Sequence, residues 1–169
     1  MFEPKRYGDE RGFFVETWNH KRYAEAGLSE QFVQSNASRS QRGVLRGLHF
    51  QNPRPQGKLV FVLDGSVFDV AVDIRPSSPN YGQWLGENLT ANNCKQLYLP
   101  PGFAHGFCVT SDSALFCYLC TKHYDPEAER ALRWDDPEID IAWPVENPSL
   151  SAKDACAPLL SQINPDYLP

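Results

Sequence analysis

From residue 31 to residue 121 the chain alternates short apolar and aromatic runs with turn-forming residues, and this spacing constrains the fold most. Runs at 31–38, 44–51, 58–63, 66–74, 84–89, 94–99, 104–110 and 114–121 read as strands. Asn92-Asn93, Pro100-Pro101-Gly102 and Ser111-Asp112-Ser113 break them with turns. Asp64-Gly65 is a strong two-residue hairpin signal, so the strands on either side of it are expected to pair. Many short strands at regular spacing predict an all-β antiparallel sandwich or barrel. Upstream, 13–18 reads as a further strand and 19–26 as a short helix stopped by Gly27. After Asp125-Pro126 the pattern loosens into a short, mostly irregular or helical tail, marked by Trp143-Pro144 and Leu150-Ser151-Ala152-Lys153-Asp154. The 169 residues suit one domain, 1–169, with a single substantial core.

Charge narrows the choice of partner. Sixteen Lys+Arg against 21 Asp+Glu give a net charge of −5, so no basic field argues for nucleic acid, and local cations must hold any anionic ligand. The longest apolar run, 59–63, is far too short to cross a bilayer, and the residues after Met1 lack a secretion signal. Five cysteines is an odd number, and in a chain of this kind free thiols are expected. These features predict a cytoplasmic protein.

The chemistry-bearing residues gather in two stretches. In the first, Gly43 to Lys58, the chain carries Arg46, His49 and Lys58 on two consecutive strands. Clustered cations are rarely buried without an anionic partner, which sets His49 apart from an ordinary hydrogen-bonded core histidine. Strict alternation would put Arg46 and His49 on opposite faces, and Gly47 permits a bulge that turns both inward. In the second, Pro100-Pro101-Gly102-Phe103-Ala104-His105 resembles the second motif of cupins, small jelly-roll barrels in which that histidine often binds a metal. A metal-binding cupin also needs His-x-His and a following Glu. Here the corresponding residues are His49-Phe50-Gln51 and Lys58, and an ammonium repels a divalent cation, so no metal is expected. Tyr118 is either a barrel-lining aromatic or a general acid whose pKa a neighbouring cation would lower. Cys117 and Cys120, three apart on a strand, face opposite sides and read as packing residues. Asp154, if the tail folds over the barrel mouth, would orient His49. Arg11 and Arg46 have the planar fork that fits phosphate oxygens, and Gln34 and Asn36 share one strand face.

Taken together, these segments resemble the dTDP-4-dehydrorhamnose 3,5-epimerase family from Arg11-Gly12-Phe13-Phe14 to Leu150-Ser151-Ala152-Lys153-Asp154. The most specific pieces are Leu45-Arg46-Gly47-Leu48-His49-Phe50-Gln51, Val70-Ala71-Val72-Asp73-Ile74-Arg75 and Pro101-Gly102-Phe103-Ala104-His105-Gly106-Phe107. The resemblance implies a cupin-like jelly-roll homodimer that uses no metal or other cofactor and acts on a dTDP-linked 4-keto-6-deoxyhexose. It implies His49 as base, oriented by Asp154, Tyr118 as acid on the other face of the sugar, and Lys58 as stabiliser of the enolate oxygen. His105, steadied by Asp69, would contact the sugar. Arg11, Glu16, Gln34, Asn36, Arg46, Glu129 and Lys153 would hold nucleotide, phosphates or sugar, and Tyr124 would stack on thymine. The sequence departs from the family at Leu119, where many members carry lysine. The rival readings are an epimerase that inverts C3 alone, a metal-dependent cupin isomerase or dioxygenase, and a non-catalytic sugar-nucleotide-binding domain.

Overall fold

The computed structural model describes residues 1–169. In chain order its elements are β1 (Arg6–Asp9), β2 (Gly12–Val15), α1 (His20–Glu25), β3 (Gln34–Gln41), β4 (Leu45–Gln51), β5 (Lys58–Asp64), β6 (Ser66–Asp73), β7 (Trp84–Thr90), β8 (Gln96–Leu99), β9 (Phe103–Val109), β10 (Ser113–Cys120), β11 (Glu129–Ala131) and α2 (Ala152–Ala155). Two antiparallel sheets face each other. One has the order β3-β10-β5-β8, the other β11-β4-β9-β6-β7, and β1 and β2 form a separate two-stranded ribbon. This is a jelly-roll barrel with a tail, as the strand spacing predicts.

Alternation along the strands sorts the side chains into three layers. The barrel interior holds Val60, Val62, Val67, Ala71, Leu89, Phe107, Val109, Ala114 and Phe116, drawn from both sheets. The outer face of the five-stranded sheet presents Leu48, Phe50, Val70 and Val72, which the tail covers with Leu132, Ile139 and Leu160. The outer face of the four-stranded sheet presents Leu59, Tyr98 and Leu119, packed under Trp18, Tyr23, Leu28 and Phe32. Leu119 thus points away from the barrel interior and serves packing.

Three expectations need correction. The strand over 13–18 ends at Val15, so that Trp18 is free to turn onto the sheet. The short strand β11 falls within the stretch read as tail; its three residues are too few to show a period. Asp64-Gly65 closes no hairpin, because β5 and β6 belong to different sheets. The pair forms a corner between sheets, with Gly65 at φ 78°, and a Cβ at that position would lie only 2.0 Å from the Ser113 carbonyl oxygen. A hairpin and a corner demand the same left-handed glycine, so the dipeptide alone does not separate them.

The predicted bulge is present. The register between β4 and β9 shifts between Arg46 and His49. Val44 and Arg46 face inward before the shift, and His49 after it. Gly47 has φ 122°, and a Cβ there would lie 2.6 Å from the Gly106 Cα. Two glycines therefore let the strands approach where the face of β4 switches. Gly47→Ala is expected to cost about 1–3 kcal/mol, read as a lower urea midpoint, and to lower activity by displacing His49.

At the end of β6, Asp73 is buried and accepts hydrogen bonds from the Arg75 Nε (2.9 Å) and the Ser78 hydroxyl (2.7 Å). The Arg75 guanidinium holds its pKa down, to about 2 from 3.8. A carboxyl with a depressed folded pKa contributes stability above its unfolded value and loses it as pH falls through the folded one. Asp73 should therefore add roughly 2 kcal/mol at neutral pH. That stability disappears between about pH 4 and pH 2. Urea titrations of wild type and Asp73→Asn should differ at pH 7 and converge in acid.

Candidate active site

The interior faces of β3, β4, β5, β9 and β10 open into one cleft. A cavity of about 500 Å³ is lined by Arg46, His49, Lys58, His105, Tyr118 and the tail residues Ser151, Lys153 and Asp154. A second of about 300 Å³ adjoins it, lined by Gln34, Asn36, Gln51 and Cys120 and sharing His49, Lys58, Tyr118, Tyr124 and Glu129 with the first. Sequence-distant residues meet here because alternation on five strands aims them at one space.

His49 comes from β4, and its Nε2 lies 2.6 Å from Asp154 Oδ1. The tail delivers Asp154: Ser149 bridges to Val44, the Ser151 hydroxyl accepts from the Asp154 N–H, and α2 follows. Only 3% of Asp154 is exposed. Burial pushes its pKa up, but hydrogen bonds and charge from His49, with Ser151 and Gly47, outweigh that and bring it below the ordinary value. The carboxylate is thus ionised, oriented, and able to stabilise an imidazolium.

A second histidine–carboxylate pair lies on the adjacent strand. His105 sits opposite His49 in the register, and its Nε2 is 2.9 Å from Asp69 Oδ2. Asp69 is fully buried, and its Oδ1 has no hydrogen-bond partner. Burial raises its pKa against the opposing pull of His105 and Lys58. The two pairs therefore stand in opposite electrostatic settings, one carboxyl favoured as the anion and the other disfavoured. The His105 ring stacks on Phe116 at 6.0 Å, which fixes its plane.

Tyr118 reaches the cleft from β10 in the opposite sheet. Burial raises its pKa, with Cys120 and Glu129 acting in the same direction and only Arg46 against them. Arg46 supplies the expected lowering, but desolvation outweighs it and the net shift is upward. A phenol that keeps its proton is the form a general acid needs. Lys58 opens β5 and forms no ion pair, while burial lowers its pKa against the weaker pull of Cys120, Asp69 and Glu129.

The residues expected to bind fall into two groups. Glu129 accepts from the Tyr124 hydroxyl at 2.7 Å and pairs with Lys153. Gln34 accepts from the Tyr124 N–H at 2.8 Å and donates to Asn36 at 3.0 Å. Arg46 donates its Nε to the Ser40 hydroxyl at 3.0 Å and has no carboxylate partner. Its fork remains available to an anion. Arg11 and Glu16 lie elsewhere: Arg11 is exposed and pairs with Asp9, and Glu16 pairs with Arg22. Within this chain the structure does not bring those two to the cleft, because β1 and β2 pair only with each other, in a ribbon separate from both sheets of the barrel.

Sequence reading missed Ser40 and, in taking Cys120 as a packing residue, did not place it at the cleft. Continuing the Gln34–Asn36 alternation along β3 reaches Ser38 and Ser40. Continuing that of Phe116 and Tyr118 along β10 reaches Cys120, which lines the second cavity. No group of three or more His, Cys, Asp or Glu side chains is arranged to hold a metal ion, and no helix is long and apolar enough to cross a membrane.

Fold and site define the chain as a jelly-roll protein with acid–base groups on two facing sheets of one cleft. The family model described as dTDP-4-dehydrorhamnose 3,5-epimerase matches residues 1–162. The chain belongs to that family. It is 57% identical over 156 residues to the dTDP-4-dehydrorhamnose 3,5-epimerase of Shigella flexneri, covering 91% of this chain and 86% of that one. The solved dTDP-6-deoxy-D-glucose-3,5-epimerase of Legionella pneumophila, in complex with dTDP-4-keto-L-rhamnose, superposes with a TM-score of 0.96 at 56% identity, covering 99% of this chain and 90% of that one. A dTDP-4-dehydrorhamnose 3-epimerase of Streptomyces niveus is 44% identical, covering 94% of this chain and 78% of that one.

Proposed function

We propose that the protein inverts C3 and C5 of dTDP-4-dehydro-6-deoxy-D-glucose, giving dTDP-4-dehydro-L-rhamnose through an enolate. The observation that carries this reading is the placement of a carboxylate-oriented His49 and a protonated Tyr118 on opposite sheets of a cleft that also holds the unpaired Lys58. The 4-keto group acidifies the protons at C3 and C5. His49 removes one, the Lys58 ammonium stabilises the enolate oxygen, and Tyr118 returns a proton to the other face. Asp154 orients the base, and His105 with Asp69 holds the sugar. Arg46 and Lys153 meet the diphosphate, while Gln34, Asn36, Glu129 and Tyr124 meet the nucleoside, with Tyr124 stacked on thymine.

Arg11 and Glu16 complete the site from a second copy of the chain. The exposed Tyr7, Phe13 and Phe14 of the β1–β2 ribbon support this homodimer, since exposed apolar side chains suit a covering surface. The reaction belongs to dTDP-L-rhamnose synthesis in the cytoplasm, with no cofactor, nucleic acid or membrane partner.

Proton NMR of the substrate incubated with the protein in D₂O tests the reading. Deuterium at both carbons, with the L-rhamno product trapped by a reductase, is the expected result. Exchange at C3 alone would favour the C3-only epimerase, to which the 44% relative gives weight.

A further inference from the structure

We propose that Cys120 is a positioning residue for Lys58, holding the place beside it with a neutral group so that the ammonium stays unpaired and directed at the sugar; this rests on the epimerase reading. Lys58 on β5 and Cys120 on β10 are direct cross-strand partners, and both line the second cavity. Directly opposed side chains on one sheet face have Cβ atoms about 5 Å apart. The partner of Lys58 on its other side is Leu99 of β8. A thiol and an isobutyl group thus occupy both flanking positions.

Every carboxylate around the cleft is engaged elsewhere: Asp154 with His49, Asp69 with His105, and Glu129 with Lys153 and Tyr124. Cys120 is itself anchored. It is 1% exposed, and the Asn36 amide donates to its sulfur at 3.8 Å. Burial raises the thiol pKa against the weaker opposing pull of Lys58 and the Asn36 hydrogen bond, which favours the neutral thiol beside the ammonium. An anion at position 120 would have a cation waiting directly across the ladder, and pairing would take that cation from the enolate.

Cys120→Asp and the isosteric Cys120→Asn, compared in kcat, KM and thermal unfolding, test this. The Asp variant is expected to lose at least about tenfold more kcat than the Asn variant, approaching the 10²–10³ loss of an oxyanion stabiliser. Their KM values should agree within about threefold and their melting temperatures closely. Adding Lys58→Met to Cys120→Asp should bring little further loss, because the two changes remove one interaction. Equal kcat for Asp and Asn would overturn the proposal. So would full additivity in the double variant, or an Asp variant that melts far below the Asn variant. A wild-type protein that binds the nucleotide sugar but moves neither proton would instead overturn the epimerase reading, and with it the reason for an unpaired Lys58.

Discussion

His49→Ala is expected to lower kcat/KM by roughly 10²–10⁴-fold, the range for loss of one positioned acid or base. It should abolish solvent exchange at C3 and C5 together. No other group stands ready as a substitute base on that face. The neighbouring His105 is nearly buried and committed to Asp69, and Asp154, with its pKa held down, is too weakly basic to take a carbon-bound proton. Asp154→Asn should fall less far, since the imidazole remains and only its orientation and the stabilisation of its cation are lost. Rate measurements with both variants at one pH, alongside NMR of the recovered substrate, check this ordering.

Lys58→Met is the second large effect. The thioether keeps an unbranched chain one atom shorter but removes the charge proposed to meet the enolate oxygen. A fall in kcat of about 10²–10³-fold with little change in KM is expected. Stability should move the other way. Lys58 is desolvated and unpaired, so the fold bears the cost of holding its charge, and an apolar replacement relieves it. Because its folded pKa is lowered, that cost is present below the folded pKa and fades as pH rises through it. A variant that is slower yet melts higher would separate a catalytic charge from a structural one, whereas a lower melting temperature would contradict the account.

Much of this was legible in the residues themselves. The strand positions followed from spacing, and the inward turn of both Arg46 and His49 followed from Gly47 standing between them. The motif order carried the family, and with it the pairing of His49 with Asp154, 105 residues apart. No local pattern shows that contact, since it depends on how the tail crosses the barrel mouth. Three features stayed hidden for physical reasons. Asp64-Gly65 has the same backbone requirement in a hairpin and in a sheet corner. The direction of the Tyr118 shift depends on how much water the cleft excludes, which composition does not report. Arg11 lies in the turn of the β1–β2 ribbon and Glu16 just past its end, outside both sheets of the barrel, so strand alternation does not tie either residue to the cleft.

The central claim is that base and acid work from opposite faces of the sugar. Tyr118→Phe in D₂O, with deuterium content and configuration read from the same NMR spectra, tests it most directly. With His49 intact, deuterium should still enter C3 and C5 with configuration retained, because His49 removes and returns protons on its own face, while inversion falls by roughly 10²–10⁴-fold. Inversion at the wild-type rate without the Tyr118 hydroxyl would contradict the account.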